Sequence, residues 1–118
     1  MATINNLYID QGTTYNVIFS VTDKSGIARN LANCTGRSQL RKSYYTTTNT
    51  SFTVSISTPA SGNIELSLSA DQTASLKAGR YVYDLEIINN TSNVVERIVE
   101  GIVVINPEVT KWVLIFQL

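Results

Sequence analysis

The chain has 118 residues, of which 43% are hydrophobic, with nine basic and nine acidic side chains, no histidine and a single cysteine. Balanced charge without a run of one sign gives counterion-release binding to nucleic acid or to an anionic membrane no source. The lack of histidine removes the commonest general base and the commonest metal ligand together.

The length suits one domain with one packed core. Cys34 has no internal partner, so burial must hold the domain together. That fits a reducing compartment, or a particle assembled inside a cell and released later. The first residues, Met1-Ala2-Thr3-Ile4-Asn5-Asn6, have no basic region and no apolar core of signal-peptide length. No apolar run approaches the roughly 18 to 20 residues that cross a bilayer. The Asn-x-Ser/Thr triplets at Asn33, Asn49 and Asn90 read as chance products of polar loops.

In chain order, Thr3 to Asp10 is predicted as a first short strand to which Ile4, Leu7 and Ile9 contribute apolar side chains, ended by Gln11-Gly12. From Thr13 to Thr22, Tyr15, Val17, Phe19 and Val21 alternate with Thr14, Asn16, Ile18 and Ser20, a strand with the β-branched and aromatic content to match. Asp23-Lys24-Ser25-Gly26 is a turn. Arg29 to Gly36 reads as an irregular connection in which Cys34 packs as a small buried hydrophobe. Arg37 to Lys42 reads as a strand whose exposed side carries Arg37, Gln39 and Arg41. Tyr44 to Ser51 is either a polar loop or a ragged edge strand.

Phe52, Val54 and Ile56, then Ile64, Leu66 and Leu68, form the arms of a hairpin around Thr58-Pro59-Ala60-Ser61-Gly62-Asn63. Ser69 to Leu76 changes to helical spacing for one or two turns, with Ser69 as N-cap. The longest alternation follows: Tyr81, Tyr83, Leu85 and Ile87 on one side and Arg80, Val82, Asp84 and Glu86 on the other, predicting a central strand that opens at Gly79. Asn89 to Asn93 is a polar loop, and Val94 to Ile105 is the last long strand, ended by Asn106-Pro107. About seven strands with turn signals every eight to twelve residues predict an all-β, two-sheet antiparallel sandwich with one short helical turn in a connection. Gly79-Arg80-Tyr81 resembles the corner of immunoglobulin-like sandwiches, where a tyrosine bonds back across the connection. Tyr81 is the candidate, with no disulfide pair and no mid-strand tryptophan beside it.

Several stretches together resemble a family of tailed-bacteriophage virion domains, the N-terminal domain of the phage baseplate upper protein and related short tail proteins. They are Asp10-Gln11-Gly12-Thr13-Thr14-Tyr15, Val21-Thr22-Asp23-Lys24-Ser25-Gly26, Leu31 to Ser43, Ala78 to Leu85, and Arg97-Ile98-Val99-Glu100-Gly101 leading to Pro107-Glu108-Val109-Thr110. The resemblance runs from about Asp10 to Thr110. It implies a non-enzymatic structural module that joins virion components in the tail, baseplate or neck through protein–protein contacts, assembled in the host cytoplasm. Its partners would be other virion proteins and copies of itself, with no cofactor, metal, nucleic acid, membrane or small-molecule substrate. A capsid decoration or cement protein is the same physics at another address, and a host-surface carbohydrate-binding module is the alternative of a different class.

Lys111 to Leu118 lies beyond where such domains stop, dividing the chain into a sandwich over 1–110 and an apolar C-terminal arm over 111–118. Trp112, Val113, Leu114, Ile115 and Phe116 are consecutive, and Leu118 follows. Burying the five consecutive ones is worth on the order of 7 to 15 kcal/mol as an upper bound, as much as a whole domain's net stability. Trp112, Val113, Leu114, Ile115, Phe116 and Leu118 are therefore the leading interface candidates, either folding back on their own sandwich or docking on a neighbour. Arg37 and Arg41 with Lys42 form a small basic stripe that is a contact for an acidic partner or a solvated strand face. Tyr44 and Tyr45 are candidates for stacking on a sugar, although neighbours on a strand point to opposite faces. Asp71, Asp84, Glu86, Glu96 and Glu100 are scattered, and no spacing sets up an acid/base pair or a calcium loop.

Overall fold

The structure, a computed structural model, describes residues 2–110. Among the described residues nine strands build two facing sheets: β1 (Thr3–Ile4), β2 (Leu7–Asp10), β3 (Tyr15–Ser20), β4 (Cys34–Arg41), β5 (Asn49–Ser51), β6 (Thr53–Ser55), β7 (Asn63–Leu68), β8 (Gly79–Asn89) and β9 (Val95–Asn106). One sheet runs β1-β9-β8-β4-β5 with β2 also on β9, and the other runs β3-β7-β6. With β3, β7 and β6 as strands B, E and D, and β4, β8 and β9 as C, F and G, this is an immunoglobulin-like order. The short helix α1 (Ala70–Ala74) lies in the connection from β7 to β8.

β8 holds the centre, antiparallel to β9 along one side and to β4 along the other. Its inward residues Tyr81, Tyr83, Leu85 and Ile87 are buried and meet Ile64, Leu66 and Leu68 of the facing sheet in one core. Period-two alternation turns all four to one side, and all four are covered because partners flank the strand on both edges. The Ser69 hydroxyl accepts from Gln72 N–H while the Ser69 N–H donates to Gln72 Oε1, a capping box that starts α1.

Three expectations are corrected. The first strand is two pieces, and both pair with β9 in parallel rather than antiparallel sense. Ile4 does not join the core: it stays 74% exposed while Leu7 and Ile9 are buried, because positions three apart on an extended chain face opposite ways. Third, Cys34 opens β4 rather than sitting in an irregular connection, and it is half-buried against the core. Thr35, Arg37 and Gln39 face solvent on β4, and Arg41 is half-buried. Both readings of 44–51 hold in part, since a turn and loop lead into the three-residue β5.

The break at Asn5-Asn6 has a specific cause. Asn5 N–H donates to Glu100 O at 2.9 Å, and in a regular parallel ladder its carbonyl would accept from Ile102 N–H. Instead the Asn5 carbonyl turns inward and accepts from the Tyr83 hydroxyl at 2.6 Å, while Asn6 Oδ1 accepts from Ile102 N–H at 3.1 Å. Gly101 lies beneath, where a Cβ would overlap the Asn5 carbonyl oxygen. Gly101→Ala should therefore cost roughly 1–3 kcal/mol through overpacking. Tyr83→Phe, which strips the donor from an inward carbonyl, should cost about 1–3 kcal/mol. Urea unfolding checks both, and midpoints equal to the parent's would refute the notch as a constraint.

Candidate functional site

The outer face of the larger sheet gathers a group of charged side chains. Arg37 of β4 stands opposite Glu86 of β8, and Glu86 opposite Arg97 of β9; the adjacent rung pairs Asp84 with Glu100. Alternation alone places Asp84 and Glu86 on this face, but the rungs that bring Arg37, Arg97 and Glu100 to them depend on register and on a bulge between Leu85 and Glu86. The Arg37 Nε to Glu86 Oε1 distance is 2.7 Å, and Arg97 reaches Asp84 Oδ2 at 3.4 Å and Glu100 Oε1 at 3.5 Å. These pairs sit at the surface with partly buried carboxylates and solvent-exposed guanidinium groups, and each contributes little to stability. Reading the acidic residues as scattered missed this grouping, because local sequence does not encode register.

A shallow cleft of about 580 Å³ opens over this face and the β5 margin, with Tyr44, Arg37, Gln39, Arg41, Asp84 and Arg97 among its walls. Arg41 is committed locally, donating to Thr46 O at 2.9 Å and to Gln39 Oε1 at 3.0 Å. Arg37 is held by Glu86. The stripe expected from Arg37, Arg41 and Lys42 is thus not a free cationic surface: two members are engaged, and the third, Lys42, lies over the Tyr81 ring with Nζ 4.9 Å from its centre. Tyr44 and Tyr45 are on a turn, not a strand, so the opposite-face argument does not apply to them. Tyr44 is 67% exposed and lines the cleft, while Tyr45 is 95% exposed and does not.

Tyr81 makes the bond that its place at the corner calls for, its hydroxyl donating to Lys77 O at 2.7 Å. Gly79 opens β8 at φ +138°, a backbone conformation that side-chain-bearing residues rarely adopt. The buried Ser38 hydroxyl donates to Asp84 O, and Phe52 N–H donates to Ser38 O at 3.0 Å where the chain crosses from β5 in one sheet to β6 in the other. The Phe52 ring meets Tyr83 edge-on, centroids 6.1 Å apart. Burial pushes the Tyr83 phenol up, with Tyr15 adding to the effect, so it stays a neutral donor. No cluster of side chains able to hold a metal ion occurs among the described residues. The arm candidates Trp112, Val113, Leu114, Ile115, Phe116 and Leu118 lie outside the described residues.

A fourth feature escaped the sequence: the free edges. β1 and β2 are short and separated by the Asn5-Asn6 break, and β5 and β6 have three residues each. β3 has six residues and, among the described residues, pairs only with β7. Val21 N–H donates to Gly62 O at 2.8 Å, so Phe19, Val17 and Tyr15 bond towards β7 and the backbone groups of Asn16, Ile18 and Ser20 face away from it. Ile18 is 62% exposed beside this edge.

No protein-family model matches the chain, and no curated protein matches it. Among solved structures it is similar to the crystal structure of InlP from Listeria monocytogenes, with a TM-score of 0.48 and 13% identity over 89% of this chain. The match spans 28% of that chain, and a likeness so slight carries no argument about this one.

Asp84 generates a pH test. Burial raises its carboxyl above the ordinary carboxylate value, Glu86 and Glu100 add to this, and Arg97 and Arg37 oppose it. The folded state then holds this proton more tightly than the unfolded chain, so the site's contribution to stability falls as pH rises through the window between the ordinary value and the raised one. Asp84→Asn should accordingly gain stability relative to the parent on going from pH 3 to pH 7. Chemical unfolding at the two pH values measures the difference, and a relative loss would contradict the sign.

Proposed function

We propose that this domain is a non-enzymatic structural module of a tailed-bacteriophage virion, joining components of the tail, baseplate or neck by protein–protein contact. The observation that carries the reading is a mismatch between the sandwich and its C-terminal arm. Among the described residues, Ile9, Leu31, Leu40, Ile64, Leu66, Leu85, Val103 and Ile105 are all at most 1% exposed and belong to one core. The arm adds Trp112, Val113, Leu114, Ile115, Phe116 and Leu118, apolar area that calls for a covering surface. A neighbouring subunit supplies it. The family resemblance from about Asp10 to Thr110 supplies the virion setting, and the mutually paired charges of the outer sheet face suit a body that presents a neutral surface to its surroundings.

The full chain should self-associate in analytical ultracentrifugation at concentrations where a version ending at Lys111 sediments as a monomer. Equal monomeric behaviour of the two would count against docking by the arm. Turnover of a small compound by purified protein, abolished by one polar substitution, would overturn the non-enzymatic reading.

Carbohydrate binding at a host surface is the second reading, and one observation favours it. Tyr44 presents an exposed ring in a cleft that also offers Gln39, Asp84 and Arg97 as hydrogen-bonding groups. Under that reading glycan-array binding is lost in Tyr44→Ala and kept in Tyr45→Ala. An array with no binder disposes of it.

A further inference from the structure

We propose that the open edge of β3 is an acceptor site for a strand, and that its occupant is the C-terminal arm, Lys111 to Leu118, of a second copy of this chain. This rests on the docking role given to the arm above and adds the surface that receives it.

An exposed sheet edge is a template for pairing, and proteins blunt edges by shortness, breaks, charge or proline. The other three margins of this sandwich are treated in those ways: β1 and β2 are interrupted at Asn5-Asn6, and β5 and β6 are three residues long. β3, Tyr15-Asn16-Val17-Ile18-Phe19-Ser20, is six residues long with no charge, no proline and no break. In an immunoglobulin-like order the first strand can cover strand B within the ABED sheet. Here the first strand goes wholly to β9, and the side of β3 away from β7 has no partner strand among the described residues. Three backbone donors and three acceptors, from Asn16, Ile18 and Ser20, thus line this edge beside half-buried Tyr15 and Val17.

The arm has the composition of the missing strand. In extended form Trp112, Leu114, Phe116 and Leu118 fall on one side and Val113, Ile115 and Gln117 on the other. The first set turns towards Tyr15, Val17 and Phe19, and Ile115 covers Ile18 on the outer face.

The point of departure of the arm selects a second copy. Asn106 pairs with Asp10, and Glu108 N–H donates to Gln11 Oε1 at 3.1 Å. The Glu108 carboxylate occupies the space where a side chain on Gly12 would stand. The arm therefore leaves the sandwich at the end where β3 begins. Antiparallel pairing with its own β3 would first require travel along the whole strand, about 20 Å, whereas residues 109–111 reach about 10 Å. Its own edge is open to it only in the parallel sense, the less stable pairing per residue. A second copy can offer the edge antiparallel. Donor and acceptor are then different surfaces, so the contact closes as a twofold dimer where two copies exchange arms and otherwise runs head to tail into a ring or a filament.

Full-length chains test this, all carrying Cys34→Ser where cysteines are introduced. A chain with Ile18→Cys and a differently tagged chain with Ile115→Cys are mixed and oxidised with copper-phenanthroline. A mixed disulfide should form at least tenfold faster than in a control pairing Thr35→Cys with Ile115→Cys. In sedimentation, Ile18→Lys and Asn16→Pro should each weaken self-association at least tenfold. Ile18 is exposed and the Asn16 N–H points away from β7, so both variants keep the β7 ladder, which circular dichroism melts verify. If Leu114→Lys with Phe116→Lys abolishes association while both edge variants leave it intact, the arm docks elsewhere and the acceptor assignment falls alone. If Leu114→Lys with Phe116→Lys leaves association unchanged, the docking reading falls with it. A disulfide formed only within one chain carrying both cysteines would assign the edge to the same copy and overturn the second-copy occupant.

Discussion

The fold depends on β8 being sandwiched between two long antiparallel partners while every second side chain points inward. Tyr81, Tyr83, Leu85 and Ile87 are buried together, and each belongs to the core only because register with β4 and β9 holds the strand in one rotational setting. A slip of one residue would exchange them for Arg80, Val82, Asp84 and Glu86. The two tyrosines secure the setting at their hydroxyls, Tyr81 to Lys77 O and Tyr83 to Asn5 O. Each of these inward phenols therefore also ties down a connection: Tyr81 the corner after α1, and Tyr83 the first segment of the chain.

Period two made β3, β7, β8 and β9 legible, since each has one buried face and alternates along most of its length. Capping chemistry made α1 legible from Ser69 and Gln72. The failures lie where the decisive partner is remote in sequence. That the first strand breaks at Asn5-Asn6 follows from Asn5 giving its carbonyl to Tyr83, 78 positions away, and nothing local announces it. Asp84, Glu86, Arg97 and Glu100 share a face through pairing across two strands and a bulge. Tyr44 and Tyr45 lie on a turn because the chain must reverse between β4 and β5, whereas their β propensity favours a strand.

The molecule treats its faces and its edges differently. On the outer face of the larger sheet Arg37, Asp84, Glu86, Arg97 and Glu100 are joined in pairs, leaving little unsatisfied charge for a partner to use. The outward backbone groups of Asn16, Ile18 and Ser20 on β3 offer the opposite situation, with no partner strand among the described residues. Under the strand addition proposed above, main-chain geometry would discriminate partners first and side-chain fit second, which tolerates drift in surface sequence.

The notch at Asn5-Asn6 divides the margin beside β9 into two parts of unequal permanence. Outside it, β1 is a two-residue strand with both side chains exposed; inside it, Leu7 and Ile9 are locked in the core. The amides of Thr3 and Ile4 can therefore exchange with solvent by a small local opening, while those of Leu7 and Ile9 wait for the sandwich itself to come apart. The leading residues behave as a latch that lifts without disturbing the body it closes.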